Sequence, residues 1–390
     1  MATAAELVAR ARALHPVLKE RAAAADQARR LPAETIRDFQ DAGFFKILQP
    51  ARWGGYEMDP QVFFDVQMVL AEACMSSGWV YGILAVHNFQ LGLFDLRAQE
   101  EVWSKDRTTL IASTYQPVGK VTRVDGGFRL SGRWSFSSGC DHGDWIFLGS
   151  IVPSGGEGDP PHMRTFLLPK GDYTIVDTWH TFGLKATGSN DIVVEDAFIP
   201  EHRTHKASDG FLCTNPGQVA NQGVLFRIPW AQVFVRSIST ASLGGARGAL
   251  AAYAEAARSR VSTNTGKATK TDAVAQATLA KAVGEIDEMD AVLHRNFDIM
   301  MALLRAGQPI PMQDRIRYRY QSATVARRCT DHVNELIRFL GGRAVFTSSP
   351  IVRYWLDLNA AQSHVANDPA GIYGSLAGAE LGEDVQEVFV

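Results

Sequence analysis

Between Leu110 and Pro200 the chain drops the spacing of a helix and turns to short runs of β-branched and aromatic residues bounded by turn residues. On both sides of that block the helical spacing is long and sustained. A parallel α/β sheet would need strands and helices in alternation, and a pure bundle would need no strands at all. The pattern calls for a small sheet domain set between two helical ones, and 390 residues are enough for two or three domains of ordinary size.

Leu7, Ala11, Leu14 and Leu18 form one apolar stripe, and Ile36, Phe39 and Gly43 follow after the breaker Pro32. A Pro- and Gly-rich link at Pro50–Pro60 leads into a helix over Val62–Ala73, and Ser76-Ser77-Gly78 is expected to cap the apolar segment Trp79–Phe94. In the middle block, Val121–Val124 and Phe128–Leu130 flank Asp125-Gly126-Gly127, where Asp-Gly supplies the positive φ of a hairpin turn. Trp145–Val152, Arg164–Leu168, Tyr173–Asp177 and Asp191–Ile199 read as further strands, and Pro153–Pro161 as an exposed loop. After a linker at Ala207–Gly223, helices are expected over Ala231–Arg260, Thr271–Ala306, Asp314–Gly341 and Ile351–His364. They are broken at Thr263–Gly266, Gly307–Pro311 and Thr347–Pro350. The expected fold class is α+β: an N-terminal helical domain over residues 1–107, a central antiparallel β-barrel domain over 108–215, and a C-terminal four-helix bundle over 216–390.

Composition mainly excludes. With 39 Lys+Arg against 42 Asp+Glu the net charge is −3, which argues against a nucleic-acid binder. No apolar run approaches the ~18 residues that would span a bilayer. The segment Met1–Phe45 is amphipathic with no uninterrupted apolar core, unlike a secretory signal. Cys74, Cys140, Cys213 and Cys329 are scattered with no C-x-x-C pair, which fits reduced thiols in the cytoplasm. No two histidines have metal-ligand spacing with a third ligand nearby, so no metal site is expected.

The chemistry lies in the order of residues. Gly132-Arg-Trp-Ser-Phe-Ser-Ser-Gly-Cys-Asp-His142 alternates rings and hydroxyls. A regular strand would put Trp134 and Phe136 on one side and Ser135 and Ser137 on the other. A planar ring could lie on such a strand and take hydrogen bonds from it; the plainer reading is a barrel strand with a buried tryptophan. His87, on an apolar helix, reads alone as a satisfied core histidine, and His364 as either a helix cap or a functional group at a helix end. Phe339-Leu-Gly-Gly-Arg343 is either a simple C-cap or a place where phosphates approach the backbone beside Arg343. Gly183-Leu-Lys-Ala-Thr-Gly-Ser-Asn-Asp191 is rich in small, hydrogen-bonding residues but is neither a Rossmann nor a P-loop pattern.

Together these pieces resemble the acyl-CoA dehydrogenase fold. The stretch from Gly183 to Pro200 is similar to that superfamily's strand signature, and Leu340-Gly-Gly-Arg343 resembles its Gly-Gly loop near the flavin. Arg133-Trp-Ser-Phe-Ser-Ser-Gly-Cys-Asp-His142, Val86-His-Asn-Phe89 with Ala98–Trp103, and Ser363-His-Val-Ala-Asn-Asp368 resemble one branch more closely. That branch is the oxygenase components of two-component aromatic monooxygenases, the group of the p-hydroxyphenylacetate hydroxylase oxygenases and the secosteroid phenol hydroxylases. The dehydrogenases carry an acid–base glutamate in their last helices; here the corresponding region is Gln362-Ser-His-Val-Ala-Asn367, with no glutamate.

The resemblance implies a reduced flavin, FMN or FAD, delivered by a separate NAD(P)H:flavin reductase. It implies reaction with O2 through a C4a-hydroperoxyflavin and hydroxylation of a small phenolic or indolic substrate. Implied catalytic residues are Ser138 (with Ser137 its rival) at the flavin N5, His364 holding or deprotonating the substrate hydroxyl, and His87 bonding it from the helical domain. Implied flavin-binding residues are Trp79 and Trp134 as walls, Ser135, Phe136, Ser137 and Ser189 along its edge, and Gly341, Gly342 and Arg343 at its phosphate. The phosphate's arginine is Arg258 or Arg260. A homotetramer is implied as well. The alternative is an acyl-CoA dehydrogenase-like flavin oxidase or dehydrogenase, against which the missing glutamate weighs.

Overall fold

The computed structural model describes residues 2–263, 266–387 and 389–390. Helices α1 (Ala4–Ala13), α2 (His15–Ala28), α3 (Ala33–Asp41), α4 (Pro60–Ala73), α5 (Met75–Leu91) and α6 (Leu96–Trp103) come first. Eight strands follow, from β1 (Ile111–Thr114) to β8 (Thr204–Lys206). The chain closes with the short helix α7 (Ala207–Leu212), then α8 (Trp230–Ser259), α9 (Ala273–Arg305), α10 (Met312–Ile337), α11 (Pro350–Ala361) and α12 (Tyr373–Glu380). In the break expected at Thr263–Gly266, Asn264 and Thr265 lie outside the described residues.

The strands form two four-stranded sheets. One has the order β1, β4 (Trp145–Val152), β5 (His162–Pro169), β8. The other has the order β2 (Lys120–Val124), β3 (Gly127–Ser137), β7 (Asn190–Pro200), β6 (Thr174–Val176). Every pair is antiparallel except β1–β4, which is parallel. The β2–β3 hairpin turns at Asp125-Gly126, with Gly126 at φ 74°. Strands β1 and β8, absent from the sequence reading, are only four and three residues long.

One apolar core runs through α4, α5, α8 and the inner faces of both sheets. All 17 residues of α5 are buried, so this helix is enclosed on every side. It begins earlier than the sequence suggests. Cys74, in extended conformation, ends α4 and is the N-cap of α5, so Ser76, Ser77 and Gly78 lie inside the first turn and do not cap it. Among the described residues no helix is long and apolar enough to cross a membrane.

Candidate active site

Strand β3 departs from regular pleating just where its chemistry begins. Opposite β7 the register runs Trp134 to Ile192 and then jumps to Ser137 opposite Asn190, a bulge of one extra residue. Phe136 takes up the strain at φ 67° and is thrown outward, 59% exposed, with its ring edge-on to Trp179 at 6.1 Å. Trp134 points the other way, fully buried between the sheets, with Nε1 donating to the Gly149 carbonyl at 2.8 Å. The expectation that Trp134 and Phe136 share a face and that Trp134 walls a flavin is therefore corrected: the bulge cancels the alternation, and Trp134 is a core residue. Ser135 is held by its backbone, its N–H donating to Gln116 Oε1 and its carbonyl accepting from Thr114 Oγ1.

The bulge delivers two serines to the end of α5. Ser137 is fully buried, and its hydroxyl has no partner among the described residues. Ser138 Oγ accepts from Trp79 Nε1 at 3.1 Å and lies 2.8 Å from Ser189 Oγ, which in turn lies 2.7 Å from Thr187 Oγ1. Ser189, expected along the flavin edge, lies against Ser138, its hydroxyl engaged on both sides by protein.

Two turns along α5 from Trp79, His87 is completely buried. Its Nδ1 lies 2.6 Å from the Ile111 carbonyl, which can only accept, so Nδ1 carries the proton and Nε2 presents a bare lone pair. Burial pushes the imidazole down to about 4, so it stays neutral, and among the described residues Nε2 has no partner. Rings surround it: Phe147 at 5.5 Å and Tyr115 at 6.3 Å. Tyr115 also packs on Phe234 at 5.4 Å and Trp230 at 6.0 Å, and its hydroxyl donates to Gln90 Oε1. A buried acceptor inside an aromatic cage suits the O–H or N–H of a planar ring.

His364 lies in the turn after α11, edge-on to Trp79 at 5.7 Å. Here the backbone takes the other role. The Ala366 N–H donates to His364 Nδ1 at 3.0 Å, so the neutral ring carries its proton on Nε2. Burial of the ring and the nearby charge of Arg319 push it down to about 4. Arg319 is itself fixed to the Ala366 carbonyl at 3.0 Å and lies 5.9 Å over Phe389, which packs on Phe234. The two histidines belong to one continuous run of contacts, though they do not touch. In this geometry the neutral His364 offers an N–H donor at Nε2, which suits the holding half of its expected role better than the deprotonating half.

A second cluster forms where α8 ends. Arg260 Nε donates to the Phe339 carbonyl at 2.7 Å, and a Cβ on Gly341, at φ 58°, would meet Arg260 Nη2 at 2.5 Å. A Cβ on Gly342 would meet no described residue within 4 Å, and Arg343 is exposed beside it. Arg258 instead turns out to solvent and pairs with Glu255 at 2.6 Å. Of the two rivals it is Arg260 that borders the Gly-Gly turn; a difference of two residues near the end of a helix reverses the direction of a side chain.

Some residues of the site escaped the sequence reading. Thr187 lies within the quoted Gly183–Asp191 stretch, so its signal was present. Tyr115, Gln90, Phe234 and Arg319 come from four separated segments, and no spacing rule links them. Asp357 is the other omission: almost fully buried on α11, it accepts from the Leu184 N–H at 2.6 Å through Oδ1, while Oδ2 has no partner among the described residues. Burial and the neighbouring Asp26 raise it to about 7.

Comparison with known proteins places this geometry in context. Residues 4–101 match the family model of the acyl-CoA dehydrogenase N-terminal domain and residues 236–369 that of the acyl-CoA dehydrogenase C-terminal domain. The chain is 40% identical over 372 residues to the flavin-dependent monooxygenase oxygenase subunit HsaA of Mycobacterium tuberculosis, covering 95% of this chain and 93% of that one. It is 32% identical to the oxygenase component of an FADH2-dependent resorcinol hydroxylase of Rhizobium sp., over 92% of this chain and 90% of that one. The crystal structure of the HsaA monooxygenase from M. tuberculosis superposes with a TM-score of 0.94 at 38% identity, covering all of both chains.

Proposed function

Because the chain belongs to the oxygenase subunits of flavin-dependent monooxygenases, built on the acyl-CoA dehydrogenase fold, we propose that it hydroxylates a small aromatic substrate bearing a ring hydroxyl or indole N–H. The observation that carries the substrate class is the lone, fully buried Nε2 of His87 inside its aromatic cage. A buried acceptor left without a donor costs about 1–3 kcal/mol, and a phenolic O–H reaching it would remove that cost, its ring lying against Phe147 and Tyr115. A thioester substrate offers no such donor, and the dehydrogenases' glutamate is missing.

The residues present fit a flavin. Ser137 brings a buried hydroxyl without a partner, Ser138 borders it with an open lone pair, and Trp79 closes one side between Ser138 and His364. Gly341 and Gly342 offer bare backbone, with Arg260 and Arg343 beside them for a phosphate. When bound, reduced flavin supplies the two electrons with which one oxygen atom of O2 enters the substrate and the other leaves as water.

The chain's own groups then divide the work. His87 Nε2 accepts from the substrate hydroxyl, drawing electron density into the ring and activating its ortho position. His364 Nε2–H donates to an oxygen from the opposite side. The aromatic cage and the enclosed helix α5 exclude water, so that reducing equivalents are not lost as peroxide. A separate flavin reductase supplies the reduced flavin, and the working form is a homotetramer in the cytoplasm. The exposed Val345 and Phe346 beside the Gly-Gly turn support subunit packing there, and the four free cysteines suit a reducing compartment.

The test supplies the purified protein with a generic flavin reductase, NADH, FMN or FAD, and a panel of phenols and indoles under 18O2. One 18O atom in a hydroxylated product is expected. Stoichiometric peroxide with every compound on the panel would end this reading.

A further inference from the structure

One arrangement of protons satisfies all of the hydroxyl contacts behind Ser138 at once. The Leu184 carbonyl can only accept, so Thr187 Oγ1, 2.8 Å away, must give its proton there. With that proton committed, the 2.7 Å contact between Thr187 and Ser189 is a bond only if Ser189 donates. Ser189 then has no proton left, so the 2.8 Å contact with Ser138 requires Ser138 to donate. At the far end Trp79 Nε1–H can only donate, and Ser138 accepts it at 3.1 Å. Ser138 is left with no free proton and one open lone pair.

The start of this chain is anchored from α11. Asp357 Oδ1 accepts the Leu184 N–H at 2.6 Å, Leu184 is held at φ 49°, and Gly183 lies so close to α11 that a Cβ would come within 2.1 Å of the Leu356 carbonyl. The Leu184 carbonyl also accepts from Trp179 Nε1 at 2.9 Å and from the Thr187 N–H at 3.2 Å. The acceptor that sets the whole order therefore cannot swing away.

We propose that Thr187 is a positioning residue that orders these protons so that Ser138 meets a bound flavin only as a hydrogen-bond acceptor, selecting the reduced cofactor over the oxidised one. The inference rests on the reading above that Ser138 borders the flavin's N5 edge. Reduced flavin carries an N5–H, a donor that the open lone pair on Ser138 accepts. Oxidised flavin presents N5 as a bare acceptor, and two acceptors facing each other lose the bond and repel. A hydroxyl able to rotate would serve both forms; one whose proton is committed serves only the reduced form.

The test is anaerobic titration with FMNH2 and aerobic titration with FMN, giving the ratio of the two dissociation constants for wild type, Thr187→Val, Ser189→Ala and Thr187→Ser. Thr187→Val keeps the shape and removes the acceptor for Ser189, whose proton then turns to Ser138 and frees that of Ser138 toward the flavin. Ser189→Ala frees the Ser138 proton directly. Both should lower the preference for FMNH2 about tenfold, the worth of one net hydrogen bond, which is about 30 mV in the potential of the bound two-electron couple. Thr187→Ser should restore the wild-type ratio. An unchanged ratio in Thr187→Val and Ser189→Ala with melting curves intact, or failure of Thr187→Ser to restore it, would overturn the proposal while leaving the monooxygenase reading standing. Failure of the wild type to bind either form would bring down both.

Discussion

Helix α5 and the turn after α11 each deliver one imidazole, and the backbone treats the two in opposite ways. His87 gives its Nδ1 proton to a strand carbonyl and is left with an acceptor; His364 takes a backbone N–H on Nδ1 and is left with a donor. Neither is chemically special as a residue. Which backbone group lies beside Nδ1 decides which nitrogen is free, and that decides the role. The same rule separates Arg260, whose guanidinium meets the Phe339 carbonyl beside Gly341, from Arg258, which meets a neighbouring glutamate in solvent.

Removing the acceptor should do the most damage. For His87→Ala the rate of hydroxylation is expected to fall about 10²–10⁴-fold, the usual worth of a positioned acid–base group. The dissociation constant of reduced flavin should stay within about threefold. Single-turnover product analysis beside flavin titration checks both halves; a comparable loss of flavin affinity would make His87 structural.

His364 should respond to donor chemistry. His364→Ala is expected to cost about 10–100-fold in kcat/KM, within the worth of one hydrogen bond to a reacting group. His364→Gln, whose amide can donate, should recover most of it. A glutamine variant as poor as alanine would show that His364 acts as a base after all, and the contrast with His87 would disappear.

The smallest effect is in pH. Both rings are pushed down to about 4, so neither gains a proton between pH 8 and pH 5.5, and kcat/KM should show no imidazole limb near 6.5 in that interval. Stability carries the complementary sign. The unfolded chain protonates these rings below about 6.5 while the folded chain does not until about 4, so stability is lost as pH falls between those values. Thermal melts from pH 7 to pH 4.5 should show a shallower decline for His87→Gln than for wild type; parallel curves would mean that His87 is already charged in the folded protein.

The contrast also marks what could be read without coordinates. Trp145–Val152 and the four long C-terminal helices were legible because burial on one face imposes a period, and a period survives in one dimension. The wrong facing of Trp134 came from applying that period through a bulge, since one extra residue reverses every side chain beyond it. Ser138, His87 and His364 could be proposed as a set because family resemblance preserves residue types in order. Tyr115, Phe234 and Arg319 were not, because the cage assembles them from segments far apart in the chain.

By itself the sequence determined the order helices, sheets, bundle, the family and the reduced-flavin chemistry, because hydrophobic spacing and local motifs act over short stretches of chain. Only the tertiary structure decided which histidine nitrogen lies against a backbone carbonyl and which against an amide, which arginine reaches the Gly-Gly turn, and which hydroxyls lie beside Ser138. Those choices depend on single backbone carbonyls and amides brought within about 3 Å of a side chain, distances that no linear pattern encodes.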